Sequence, residues 1–95
     1  MPKISVLYPE ESRQTAKILE SGLLVGRSPL CDLQLTDEFV SGKHCKIFFE
    51  SKKFFIEDLG STNGTFIDGT EVKGKSPLEF GQSIQIGITV LKLSP

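Results

Sequence analysis

Cysteine and histidine are scarce: two of the former, Cys31 and Cys45, and one of the latter, His44, in 95 residues. Two isolated cysteines match neither a disulfide framework nor a zinc spacing, so free thiols in a reducing compartment are expected. A lone histidine has no companion ligands with which to hold a metal. Neither sign of charge is in excess. Lys and Arg number 11 against 12 Asp and Glu, a net charge of −1. No global basic field therefore argues for nucleic acid or an anionic membrane, although the sum leaves a local basic pocket open. Long apolar runs are missing, which excludes a membrane-spanning helix. The opening Met1-Pro2-Lys3-Ile4-Ser5 lacks the basic-then-apolar pattern of a secretory signal. A cytoplasmic chain without cofactor is the expectation. A chain of this length suits one domain, 1–95, with a single core and no staple.

What is present reads as strands and turns. Ile4–Tyr8 is a strand ended by Pro9. The stretch Glu10–Glu20 has helix-favouring composition, but its apolar spacing makes no helical stripe, so an extended edge is preferred. Ser21-Gly22 turns into the apolar run Leu23-Leu24-Val25. Ser28–Asp32 is a loop, Leu33 and Leu35 give a brief alternation, and Thr36–His44 is a long polar connection. Cys45–Glu50 and Phe54–Glu57 form a hairpin through Ser51-Lys52-Lys53. A second hairpin turns at Asp68-Gly69. Ser83–Ile86 and Thr89–Leu93 alternate on either side of Gly87. Many short strands, with no convincing helix, no repeat and no linker, indicate an all-β antiparallel sandwich.

Three polar signatures stand at the edges of apolar runs: Gly26-Arg27-Ser28, Ser41-Gly42-Lys43-His44 and Ser61-Thr62-Asn63-Gly64-Thr65. They supply a guanidinium, hydroxyls, an amide and glycine-freed N–H groups, the inventory for holding a phosphate and its peptide. In this order and spacing, with Asp58-Leu59-Gly60 before the third, they resemble the forkhead-associated (FHA) domain. The later Asp68-Gly69 and Gly81-Gln82-Ser83-Ile84 fit as well. The resemblance spans nearly the whole chain. It implies an FHA/SMAD-like β-sandwich of about eleven strands with binding loops at one end. It also implies a module that recognises phosphothreonine in protein–protein signalling, not an enzyme. The partner is then a phosphothreonine-containing protein or peptide, with no nucleic acid and no membrane. The chain is expected as a monomer on its own, or as part of a larger protein.

Residue by residue, the resemblance gives Arg27, Ser41 and Thr62 to the phosphate, with Gly42 and Lys43 as supplementary contacts. Asn63 goes to the peptide backbone, since an amide both donates and accepts. Gly26, His44 and Gly64 shape the loops, and Asp58 turns inward to accept loop N–H groups. Taken singly, each has a plain reading: a solvated arginine or lysine, a loop serine bonding its own backbone, an Asn-Gly tight turn. Gly42 stands where many members carry Arg or Asn. Phe39 stands where some carry a charged residue that reads the peptide past the phosphothreonine, which suggests an aliphatic preference here. A second reading is an interaction or dimerisation module of the same fold that binds independently of phosphate.

Two motif matches fail on context. Gly69–Ser76 spells a phosphate loop, but Pro77 and Gly81 leave no helix to follow it. Asn63-Gly64-Thr65 spells a glycosylation acceptor without a secretory signal. Ser41 and His44 are neighbours in one loop, with no oxyanion site or acid brought to them, so they make no hydrolase triad.

Overall fold

Alternation of β-branched and polar residues sets the period of two, and glycines and Asx residues interrupt it often enough that no strand exceeds six residues. The computed structural model describes residues 2–95, in which eleven strands run in chain order. They are β1 (Lys3–Tyr8), β2 (Thr15–Lys17), β3 (Leu23–Gly26), β4 (Leu33–Gln34), β5 (Cys45–Glu50) and β6 (Lys53–Asp58). Then come β7 (Thr65–Ile67), β8 (Thr70–Glu71), β9 (Lys75–Leu78), β10 (Ser83–Ile86) and β11 (Thr89–Ser94). A 3₁₀ turn at Glu10–Ser12 joins β1 to β2. One sheet has the order β2-β1-β11-β10-β7-β8, the other β4-β3-β5-β6-β9. Their inner faces enclose Ile4, Val25, Ile47, Ile56, Ile84, Ile86, Leu91 and Leu93, all fully buried. No helix among the described residues is long and apolar enough to cross a membrane.

Both hairpins turn on two residues in the left-handed region, Ser51 and Lys52 (φ 52° and 64°) and Asp68 and Gly69 (φ 47° and 86°). That twist matches the flanking strands. Lys53, read above as turn, therefore begins β6 opposite Glu50. The stretch Glu10–Glu20 divides into the 3₁₀ turn and the short β2. Two features depart from expectation. β3 and β4 pair in parallel, Val25 beside Leu33 and Gly26 beside Gln34, so the otherwise antiparallel sandwich is mixed at that edge. β9 was not foreseen, because Pro77 lies within it. It is tolerated there because β9 is the outermost strand of its sheet, where a missing N–H leaves no ladder bond unmade. The phosphate-loop lookalike is thus β8, a turn and β9, with no helix.

Register places the loops. Val25 sits opposite Cys45, and Cys45 opposite Asp58. β3 ends, β5 begins and β6 ends at the same rim of the sandwich, so the β3–β4, β4–β5 and β6–β7 loops emerge side by side.

Candidate functional site

Gly26 allows the first two loops to close on each other. A Cβ there would fall on the Gly42 carbonyl and lie 3.0 Å from the Cys31 sulfur, so no larger residue fits. Across this close approach the Arg27 N–H donates to the Ser41 carbonyl and the Ser28 N–H to the Gly42 carbonyl, each at 3.0 Å. The Cys31 thiol donates to the same Gly42 oxygen at 3.1 Å. Burial pushes the Cys31 thiol pKa up, and that of fully buried Cys45 further still. Both thiols are free.

Ser41 and His44 join the second loop to the third. The Ser41 hydroxyl oxygen accepts the Thr62 N–H at 3.1 Å, which leaves its own O–H free to donate outward. His44 is buried. Its Nδ1 accepts the Ser41 N–H at 3.1 Å, so the ring proton belongs on Nε2, which donates to the Gly64 carbonyl at 2.9 Å. Its backbone N–H reaches Val25 and its carbonyl accepts the Leu59 N–H. One residue therefore fixes both loops to the sheet. The third loop is also braced from within. Asp58 Oδ1 accepts the Ser61 N–H at 3.3 Å and the Thr65 hydroxyl at 3.2 Å. Gly64, at φ +88°, donates its N–H to the Ser61 hydroxyl.

Asn63 is partly committed. One amide N–H donates to the Phe39 carbonyl at 2.8 Å, bridging the second and third loops and leaving the second N–H and Oδ1 for other partners. Arg27, Gly42, Lys43, Thr62 and Asn63 are all exposed at the rim. Nothing lies within 4 Å of where a Gly42 Cβ would stand. Among the described residues no ion pair or hydrogen bond occupies the Arg27 guanidinium or the Lys43 ammonium. The backbone of Arg27 touches that of Ser41, Ser41 touches Thr62, and His44 touches Gly64. Lys43 reaches the cluster only through its chain neighbours. The rim thus offers two free cations, two hydroxyls and an amide on a braced backbone, which suits a tetrahedral dianion and an extended peptide.

Asp37 escaped the sequence reading. Its Oδ1 accepts the Phe39 N–H at 2.9 Å, and its Oδ2 accepts the Ile88 N–H at 2.7 Å and the Thr89 hydroxyl at 2.9 Å. Burial works to raise its pKa but is outweighed by those donors, and the carboxyl is held below its ordinary value. The spacing Asp37-Glu38-Phe39 carries a local Asx-turn signal. Nothing local announces the partners Ile88 and Thr89, at the turn into β11.

The family model described as "FHA domain" matches residues 23–87. The FHA domain-containing protein FhaB of Mycobacterium tuberculosis is 36% identical over 76 residues, which cover 80% of this chain and 49% of that protein. The chain thus spans about half the length of the FhaB proteins it matches. Among solved structures, the FHA domain of the CT664 protein from Chlamydia trachomatis superposes with a TM-score of 0.90 at 28% identity, covering 99% of this chain and 96% of that one. The MEK1 FHA domain in complex with a HOP1 phosphothreonine peptide superposes with a TM-score of 0.81 at 26% identity, covering 98% and 94%.

Proposed function

Because the chain belongs to the FHA domain family, which its match over residues 23–87 establishes, we propose that residues 1–95 form a single non-catalytic module that binds phosphothreonine peptides in signalling. The observation that carries this is the pair of unpaired cations and outward hydroxyls on loops locked together by His44 and Gly26. Arg27 is the main phosphate ligand, presenting paired donors to two oxygens. Ser41 and Thr62 donate hydroxyls, and Lys43 with the Gly42 backbone supplements them. Asn63 spends one N–H on Phe39 and offers the rest of its amide to the peptide main chain. The relative solved with a phosphothreonine peptide supports this reading.

The magnitudes are adequate. Phosphothreonine carries roughly −1.5 to −2 charges. Four charge-assisted hydrogen bonds at about 1.5–3 kcal/mol each give on the order of 6–12 kcal/mol gross. After ordering and association costs, a net near −8 kcal/mol corresponds to about micromolar affinity, suited to a reversible contact. The same reading sets the chain in a reducing, cytoplasmic compartment, with two free buried thiols as its support. Fluorescence anisotropy on matched phosphorylated and unphosphorylated threonine peptides tests the proposal. Binding of the phosphorylated form alone is expected, and equal binding of both would end it.

A further inference from the structure

Apolar side chains are exposed on the rim loops, Leu30, Phe39 and Leu59 among them, but a second set lies away from the rim. At the opposite end of the sandwich, where β5 turns into β6 and β9 gives way to β10, Phe49, Phe80 and Leu19 stand 55%, 52% and 58% exposed. Phe49 and Phe54 are cross-strand partners with ring centroids 4.8 Å apart, and Phe54 lies 5.7 Å from Phe80. The three rings form one array, two of them set by the β5–β6 hairpin and the third, Phe80, by the turn between β9 and β10. Together with Pro2, Phe49 and Phe54 form a ridge between two open clefts of about 490 and 450 Å³. Phe80, Lys52 and Lys53 border the first cleft, and Leu19 and Glu20 the second. Single exposed apolar side chains are ordinary, but a contiguous cluster around two clefts marks an interaction surface.

We infer that this end takes a second copy of the chain, packed about a twofold axis through the Phe49–Phe54 ridge. Charge decides the occupant. A partner of one sign would be met by a border of the other sign. Here the first cleft, with two lysines and Glu79, is net positive, and the second carries Glu20 alone. A half-turn about the ridge exchanges the two clefts. It brings Lys53 of each copy to Glu20 of the other, and Phe80 into the cleft beside Leu19. That is the self-complementarity an isologous contact requires. The resemblance led to the expectation of a monomer on its own or a part of a larger protein; this surface gives a weak, reversible pair. The pairing does not depend on the phosphopeptide reading. It leaves the two rims facing away from each other, so that the pair can hold two sites of one target at once.

Sedimentation equilibrium from about 10 μM to 1 mM tests the pairing over the range of a weak interface. The mass is expected to rise toward that of a dimer. Phe80→Ser and Lys53→Glu are each expected to weaken association at least about tenfold. Both positions are exposed, so the fold should persist in circular dichroism. Combining Lys53→Glu with Glu20→Lys should restore pairing. A mass that stays monomeric throughout overturns the inference. So does association that Lys53→Glu leaves unchanged, or a double variant that pairs no better than the single ones.

Discussion

Thr89 donates its hydroxyl to the Asp37 carboxylate at 2.9 Å across 52 positions of sequence. With the Ile88 and Phe39 N–H groups on the same carboxylate, this bond ties the loop that carries Ser41 to the β10–β11 turn of the other sheet. The rim is therefore braced twice: by His44 from below and by Asp37 from the side.

The Asp37 brace should be visible as acid sensitivity. Its folded-state pKa is depressed. The stability it contributes is complete above the unfolded-state value of about 3.9 and is lost as pH falls through the lower folded value. Asp37→Asn removes charge-assisted bonds of about 1–2 kcal/mol, so its melting temperature at neutral pH should fall by roughly 5–10 °C. The wild-type and variant melting curves should converge as pH drops below about 3. Thermal circular dichroism across that range checks this; two curves that stay parallel would exclude the assignment.

His44→Ala should cost more. It leaves the Ser41 N–H and the Gly64 carbonyl without their ring partners and opens a void under both loops. A lost buried partner and a cavity together suggest about 2–4 kcal/mol. Urea denaturation gives the loss. Amide exchange should be faster at Ser41 than at Ile47, which is held by the sheet ladder. Uniform acceleration would mean that His44 is ordinary core and not a loop post.

The strands that sequence revealed are those whose burial alternates, such as β10 and β11, and the turns it revealed are those with Asx-Gly chemistry, such as Asp68-Gly69. Both are local signals. β9 stayed hidden because Pro77 argues against a strand unless its edge position is already known. The parallel β3–β4 bridge stayed hidden because two residues carry no period. At the site, Arg27, Ser41, Thr62 and Asn63 were recognisable as an ordered set, but their mutual bonds were not. The Asn63 amide closing on the Phe39 carbonyl and the Thr62 N–H on Ser41 depend on register between β3, β5 and β6. Asp37 needed a partner on β11, which only the assembled sandwich supplies.

Two glycines at the rim should respond in opposite ways. Gly26→Ala drives a methyl into backbone that cannot yield, and overpacking of this kind costs about 1–3 kcal/mol or more. Gly42→Ala meets nothing within 4 Å and has no positive φ to strain, so its effect on stability should stay within about 0.5 kcal/mol. Guanidinium denaturation of the pair settles the point. Equal losses would mean that the close approach of the β3–β4 and β4–β5 loops is not what Gly26 provides.

Phosphate binding and loop bracing can be separated by comparing Arg27 with Asn63. The Arg27 guanidinium has no partner among the described residues, so Arg27→Ala should leave the melting temperature unchanged. It should weaken phosphopeptide binding by about 10- to 100-fold, the worth of a charge-assisted pair. Arg27→Lys should recover part of the loss, because it keeps the charge but not the paired donors. Asn63→Ala should lose affinity and also some stability, since it drops the 2.8 Å bond to the Phe39 carbonyl. Phe39, half exposed at that contact, should favour peptides with an aliphatic residue beyond the phosphothreonine. Phe39→Arg should move that preference toward acidic residues on a phosphothreonine peptide array while leaving the Asn63 bond, which uses only the backbone, in place. An array on which the unaltered protein already prefers acidic residues would remove Phe39 from the specificity of this rim.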